Sequence, residues 1–235
     1  MANFAYSDNS LYSQVVNELG ARGLSSEKMS AVQNAIQESL GILHHVRPWS
    51  WRRARTDLTV TAATPYAFLP NDCDTVASRE IAREESQNSE VVTLVDRTDR
   101  DFWRMNAGAD PGAPQYFRVV WREVGSSAGL CMETVPPTDG TRTYPDVEYW
   151  RSVQTLTFAA GTPVTPTMPP EFHGTWKALA LAKAAVALGR WRQGQTLRAD
   201  AERELNRAIE RYDQVIADVP AVGVEDVYGD WERHL

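Results

Sequence analysis

The chain has 235 residues, 43% of them hydrophobic and 23% charged, the proportions of an ordinary soluble globular protein with enough apolar material for a core, which excludes disorder over most of its length. No window approaches the ~18 consecutive apolar residues of a membrane span, and Cys73 and Cys131 are too few for a disulfide framework or a Cys-based zinc site. The formal net charge of −7 opposes tight, sequence-independent gripping of DNA, though not the passage of DNA nearby.

The N-terminal MANFAYSDNS carries neither a basic start nor an apolar run, so no secretory signal is expected, and synthesis in a reducing cytoplasm fits the cysteine usage. A first helix is predicted over Leu11–Leu19, stopped by Gly20 and Gly23. A second is predicted over Ser26–His45. Its apolar residues Met29, Val32, Ile36, Leu40 and Leu43 are spaced 3, 4, 4 and 3, which puts them on one face. Pro48 cannot continue a helix and ends this one.

From Trp51 to Phe158 the pattern becomes strand-like. Candidate strands are 56–61, 90–95, 116–124, 129–135 and 147–156, chosen for alternation and for β-branched or aromatic content. Gly, Pro, Asp and Ser separate them, as in 125–129 and 136–140. Asp101–Met105 reads as a single helical turn. The middle is therefore an antiparallel, meander-like β region.

Proline-rich 162–170 is a linker into helix, with Pro170 suited to a first turn. Phe172, Trp176, Leu179, Lys183 and Val186 then share a stripe, and the alanine density of 178–188 lets a neighbouring helix come close. Gly194 is expected to break the pattern and Thr196 to cap a last helix. That helix carries Leu197, Ala201, Leu205, Ala208, Tyr212 and Val215 or Ile216 along one face, and ~22 residues would reach about 33 Å. The resulting fold class is α+β. A helical bundle is formed by the N- and C-terminal helices (residues 1–50 and 161–219), with an antiparallel β module inserted at 51–160 and an extended arm at 220–235.

Chemistry is scarce. Gly125-Ser-Ser-Ala-Gly129 fits the G-x-S-x-G hydrolase pattern, and Asp139 or Asp146 and then His173 follow in that fold's order. The mechanism needs Ser127 on a strand-to-helix turn above a parallel sheet. Residues after Ser127 read as strand, so a hairpin loop explains the segment. Asp72 and Asp74 could face a divalent cation, but no third ligand has a recognisable spacing, and Pro70-Asn-Asp72 reads as an Asx-type turn. His44 and His45 are adjacent, about 100° apart on a helix, and cannot chelate as an i, i+4 pair. No catalytic residue, cofactor or metal site is expected.

Arg47, Arg52, Arg53 and Arg55 cluster beside Trp49 and Trp51. With the chain acidic, the tryptophans are read as filling a helix–sheet junction or interface while the arginines stay wet or pair with acids. A local role near DNA or an acidic partner stays open. The tail from Asp218 holds five acids against Arg233, a net of −4. Val224, Val227, Tyr228, Trp231 and Leu235 fall on one side of it at helical spacing. Such a segment either folds back on its own domain or docks on a partner.

The order of several passages resembles a known family. These are Arg47-Pro-Trp-Ser-Trp51, Tyr66-Ala-Phe-Leu-Pro-Asn-Asp72, Pro114-Gln-Tyr-Phe117, Leu130-Cys-Met-Glu-Thr-Val-Pro-Pro137, Tyr149-Trp150-Arg151, and Met168-Pro-Pro-Glu-Phe-His173 opening an alanine-rich helix. Over residues 10–217 the chain resembles the bacteriophage head–tail connector proteins, also called adaptor or head-completion proteins, including the tubular-tail A type of short-tailed phages. The resemblance implies a non-catalytic virion protein at the capsid–tail junction, made in the host bacterial cytoplasm. It implies a homo-oligomeric ring, commonly of twelve copies, beneath the portal protein and above a downstream tail or nozzle protein. It further implies a C-terminal extension toward the portal, which assigns the docking residues Val224, Val227, Tyr228, Trp231 and Leu235 by position and not by motif. Double-stranded DNA would pass through the lumen without specific binding, and an acidic lining would let it slide. Two alternatives stand beside this: a tail-proximal stopper or terminator of the same neck, and a serine hydrolase using Ser127.

Overall fold

The computed structural model describes residues 8–21, 23–62, 64, 66–78, 80–82, 91–94, 110–158 and 164–217. The chain divides into two compact units, Met1–Arg47 with Thr155–Leu235, and Pro48–Gln154.

The first unit is helical: α1 (Asp8–Glu18), α2 (Ser26–His45), α3 (His173–Ala187) and α4 (Trp191–Ala217). Helix α1 begins three residues before its predicted start, whereas α2 has the predicted bounds. The Ser25 hydroxyl caps α2 by accepting from the Lys28 amide at 3.4 Å, satisfying one of the orphan donors of the first turn. Four of the five predicted stripe residues, Val32, Ile36, Leu40 and Leu43, are buried; Met29, in the first turns, is half-exposed.

A short 3-10 turn, Pro170–Phe172, leads into α3. Helix α3 packs against α1, α2 and α4, which explains its alanines: Ala180, Ala182, Ala184 and Ala185 are all buried, and a helix with three neighbours needs small residues on most of its faces. The predicted stripe holds for Phe172, Trp176 and Leu179. It fails for Lys183, which reaches Glu38 of α2 at 3.3 Å, and for half-exposed Val186.

The break between α3 and α4 differs from expectation. The chain turns at Gly189 (φ 76°), where the Gly189 amide donates to the Val186 carbonyl and the Arg190 amide to that of Ala185, both at 2.9 Å. This is the bonding of a Schellman end, and glycine accepts its left-handed conformation without strain. Helix α4 starts at Trp191, so Gly194 and Thr196 lie inside it. The Thr196 hydroxyl donates back to the Arg192 carbonyl at 3.3 Å and caps nothing.

Gly194 is instead a point of close approach. A Cβ there would sit 2.5 Å from Val186 Cγ2, 3.3 Å from the Val186 amide nitrogen and 3.5 Å from the Ala182 carbonyl oxygen. Gly194→Ala is therefore expected to lower the melting temperature, because overpacking of about 1–3 kcal/mol outweighs a helix-propensity gain of about 1 kcal/mol. Val186→Ala should restore it in the double mutant. A higher melting temperature for Gly194→Ala alone would show that α3 and α4 can part without cost.

Among the described residues the second unit holds eight strands: β1 (Arg53–Val60), β2 (Tyr66–Phe68), β3 (Cys73–Val76), β4 (Glu80–Ala82), β5 (Val91–Leu94), β6 (Tyr116–Val124), β7 (Ser127–Val135) and β8 (Arg142–Arg151). They form a three-stranded sheet ordered β1-β8-β3 and a five-stranded sheet ordered β2-β7-β6-β5-β4. Pairing is antiparallel except between β5 and β6, which run parallel. Leu58, Val60, Cys73, Tyr144, Val147 and Tyr149 from the small sheet share one core with Ile81, Phe117 and Met132 from the large one.

The strand predicted over 147–156 is displaced. Strand β8 starts at Arg142, directly after a turn in which the Thr138 hydroxyl donates to the Gly140 carbonyl at 2.9 Å. It passes Pro145 at a register shift opposite Asp57, whose carboxylate accepts from the Asp146 amide at 3.0 Å. A bulge of this kind is where a sheet tolerates proline. Beyond Arg151 the backbone leaves the sheet: the Ser152 amide donates to the Asp72 carbonyl at 2.7 Å, and in the helical unit the Leu156 amide donates to Gln37 of α2 at 2.8 Å. The turn expected over Asp101–Met105 lies outside the described residues. No described helix is long and apolar enough to cross a membrane.

Candidate functional site

Ser127 opens β7 immediately after the two-residue turn Gly125–Ser126, with Val124 of β6 as its cross-strand partner. This is an antiparallel hairpin and not the strand-to-helix elbow that a serine nucleophile requires. Asp139 is held by Arg142 at 2.6 Å. His173 opens α3 in the helical unit and is buried. Burial lowers its pKa, opposed by the Met168 main chain and by Glu171, so the ring stays neutral near pH 7. The geometry gives Ser127 no catalytic support.

The acids and arginines around the start of the β unit neutralise one another. Arg52, buried, donates to Asp74 at 3.1 Å and to the Arg151 carbonyl at 2.8 Å. Burial pulls its guanidinium pKa down, and the charge and hydrogen bond of Asp74 hold it up. Asp72 accepts from the Tyr149 hydroxyl at 3.1 Å and faces Arg151 at 3.5 Å. Both carboxylates offered as cation ligands are thus taken by protein groups, and among the described residues no three His, Cys, Asp or Glu side chains group to hold a metal. Arg53 and Arg55 reach Glu148 at 3.2 and 2.9 Å, and Arg53 also lies over the Trp150 ring. Arg47, in the helical unit, pairs with Asp213 of α4. Trp49 is fully buried and stacks on half-buried Trp51, ring centroids 6.5 Å apart and nearly parallel. The two rings therefore pack on each other.

One face of the five-stranded sheet carries a charged cluster. Glu133 of β7 accepts from Arg118 at 2.7 Å and from Arg122 at 2.6 Å, both on β6. Arg122 also covers the Tyr66 ring at 4.5 Å. Two thiols are sealed nearby in the same unit. Burial, reinforced by Asp72 and Asp74, pushes Cys73 up to about 12; burial and Glu133, opposed by Arg122 and Arg118, push Cys131 up to about 11. Neither is a reactive thiolate at neutral pH.

Two exposed aromatics were missed by sequence reasoning. Trp121 on β6 is 70% exposed and Trp191, the first residue of α4, is 62% exposed. Alternation alone puts Phe117, Val119 and Trp121 on one face, and only the structure shows that the core stops short of Trp121. The arm residues Val224, Val227, Tyr228, Trp231 and Leu235 lie outside the described residues.

Among the described residues, the arginines and acids around β1, β3 and β8 and the Glu133 cluster are thus engaged by protein groups. No curated protein matches the chain. Residues 10–224 match the family described as SU10 adaptor protein, a span that takes in β1 to β8 and helices α2 to α4 whole and leaves most of the tail outside. By this match, the chain belongs to the SU10 adaptor protein family of phage adaptor proteins.

Proposed function

We propose that the chain is a structural adaptor of the phage neck that forms a ring, of twelve copies as in the tubular-tail A connectors it resembles, between the portal and the tail. The family match over residues 10–224 carries this reading. Within it, the helices from both chain ends form the ring's helical bundle, and residues 220–235 act as an arm that docks on the portal through Val224, Val227, Tyr228, Trp231 and Leu235. The arm's composition supports this role: two aromatic anchors and three aliphatic ones on a segment of net −3 suit a terminal segment that buries an apolar stripe against a partner. DNA passes through the lumen without being held, for which the chain's net charge of −7 is suited because phosphate is repelled.

Sizing of the purified chain alone and with its portal tests the reading directly. The full chain should co-elute with portal as a ring complex, and a chain lacking residues 220–235 should fold with an unchanged far-UV spectrum yet fail to attach. Normal attachment of the truncated chain would remove the arm assignment. Attachment to a tail protein but never to portal would place the chain lower in the neck, as a stopper.

A further inference from the structure

We infer that the Trp121 face of the β6–β7 hairpin on one copy docks against the Trp191 corner of α3 and α4 on the next copy, an inference that rests on the ring reading above. A ring closes through heterologous contacts, in which each copy presents two different patches. The two most exposed large hydrophobic side chains among the described residues, Trp121 and Trp191, lie one on each compact unit. On the hairpin, Trp121 and Glu123 point to the same face, with Leu130 and Ala128 as their cross-strand partners. At the helical corner, half-exposed Val186 packs against Gly194, one turn on from Trp191.

Charge supplies the complementarity. The stretch from His173 to Ala199 contains five bases and no acid. Lys177 and Lys183 are engaged by Glu18 and Glu38, Arg198 by Glu202, and Arg190 by the Leu19 carbonyl. Arg192, beside Trp191, has no acidic partner among the described residues. On the hairpin, Arg122 points to the other face and is held by Glu133, whereas Glu123, beside Trp121, has no basic partner among them. An aromatic beside an acid on one patch thus matches an aromatic beside a base on the other. Tryptophan anchors with flanking opposite charges are the usual core of a specific interface.

The test is disulfide trapping in virions assembled with a Glu123→Cys, Arg192→Cys chain. The native thiols give little background, since Cys73 and Cys131 are buried and unreactive. Mild oxidation should convert the chain to a ladder of covalent multimers on a non-reducing gel, with neither single variant giving more than a trace. Products that stop at dimers, or no product while formaldehyde still yields a ladder of the same chain, would overturn the interface and leave the ring standing. No multimers with either reagent would remove the ring itself. As a second readout, Trp121→Ser and Trp191→Ser should each leave the melting temperature of the isolated chain unchanged and reduce its incorporation into virions at least tenfold. Undiminished incorporation of both would also overturn the assignment.

Discussion

Replacing Trp176 by alanine is expected to destabilise the helical unit by about 3–5 kcal/mol, the range for deleting a large aromatic from a packed core. The side chain is fully buried, as are Ile36, Leu40 and Leu43 of α2, and its indole Nε1 donates to the Ile36 carbonyl oxygen at 3.4 Å across 140 residues of sequence. Its helical neighbours Phe172, Leu179 and Ala180 are themselves buried, so the gap can close only by shifting groups that are already packed. Unfolding in urea followed by helical circular dichroism isolates this unit from the β-rich one, which matters because two compact units need not melt together. Trp176→Phe, keeping most of the apolar volume and losing the N–H, should cost far less. An alanine variant within about 1 kcal/mol of the parent would mean that α2 and α3 are held by something other than this side chain.

The helices were legible because their signals are local. Pro48 ends α2, and the 3-4-4-3 spacing of its apolar residues needs no knowledge of the partner to place a face. The corner between α3 and α4 was misread for a reason of the same kind. Gly194 looks like a breaker in sequence, and only the approach of Val186 shows that it is a packing residue. Among the strands, the bounds of β6 were legible because nine consecutive residues are rich in β-branched and aromatic side chains between turn-forming neighbours. Strands β2, β3 and β4 have three or four residues each, too few for a period to show, and their existence depends on partners distant in sequence. The displaced end of β8 has a physical origin as well: Pro145 argues against a strand until the bulge at Asp57 is seen. As for the site, the hairpin at Ser127 was readable in sequence, because the residues that follow it read as strand. The exposure of Trp121 and Trp191 was not, since exposure is a property of where a core ends.

The second large effect is expected at Glu133. Its side chain and that of Arg118 are each only 11% exposed, and β7 carries it between Arg118 on β6 and Tyr66 on β2. Glu133→Ala removes the carboxylate that Arg118 and Arg122 share; breaking a buried pair by deleting one partner costs about 3–5 kcal/mol, whereas surface pairs such as Arg198–Glu202 are worth about 0.5 kcal/mol. Glu133→Gln should fall between, since the amide oxygen still accepts a hydrogen bond while the charge is gone. Replacing both partners, as Arg118→Met with Glu133→Leu, should recover most of the loss, because it removes the desolvation cost together with the attraction. Cys131, fully buried two residues away on the same face of β7, supplies the measurement: its thiol reacts only when the strands open, so labelling rates report the opening free energy. A loss of about 3 kcal/mol corresponds to labelling faster by roughly a hundredfold in Glu133→Ala, with the double replacement near the parent rate. Equal labelling in parent and Glu133→Ala would show that the charge triad decorates the sheet without holding it, and that the apolar core on the opposite face carries the hairpin alone.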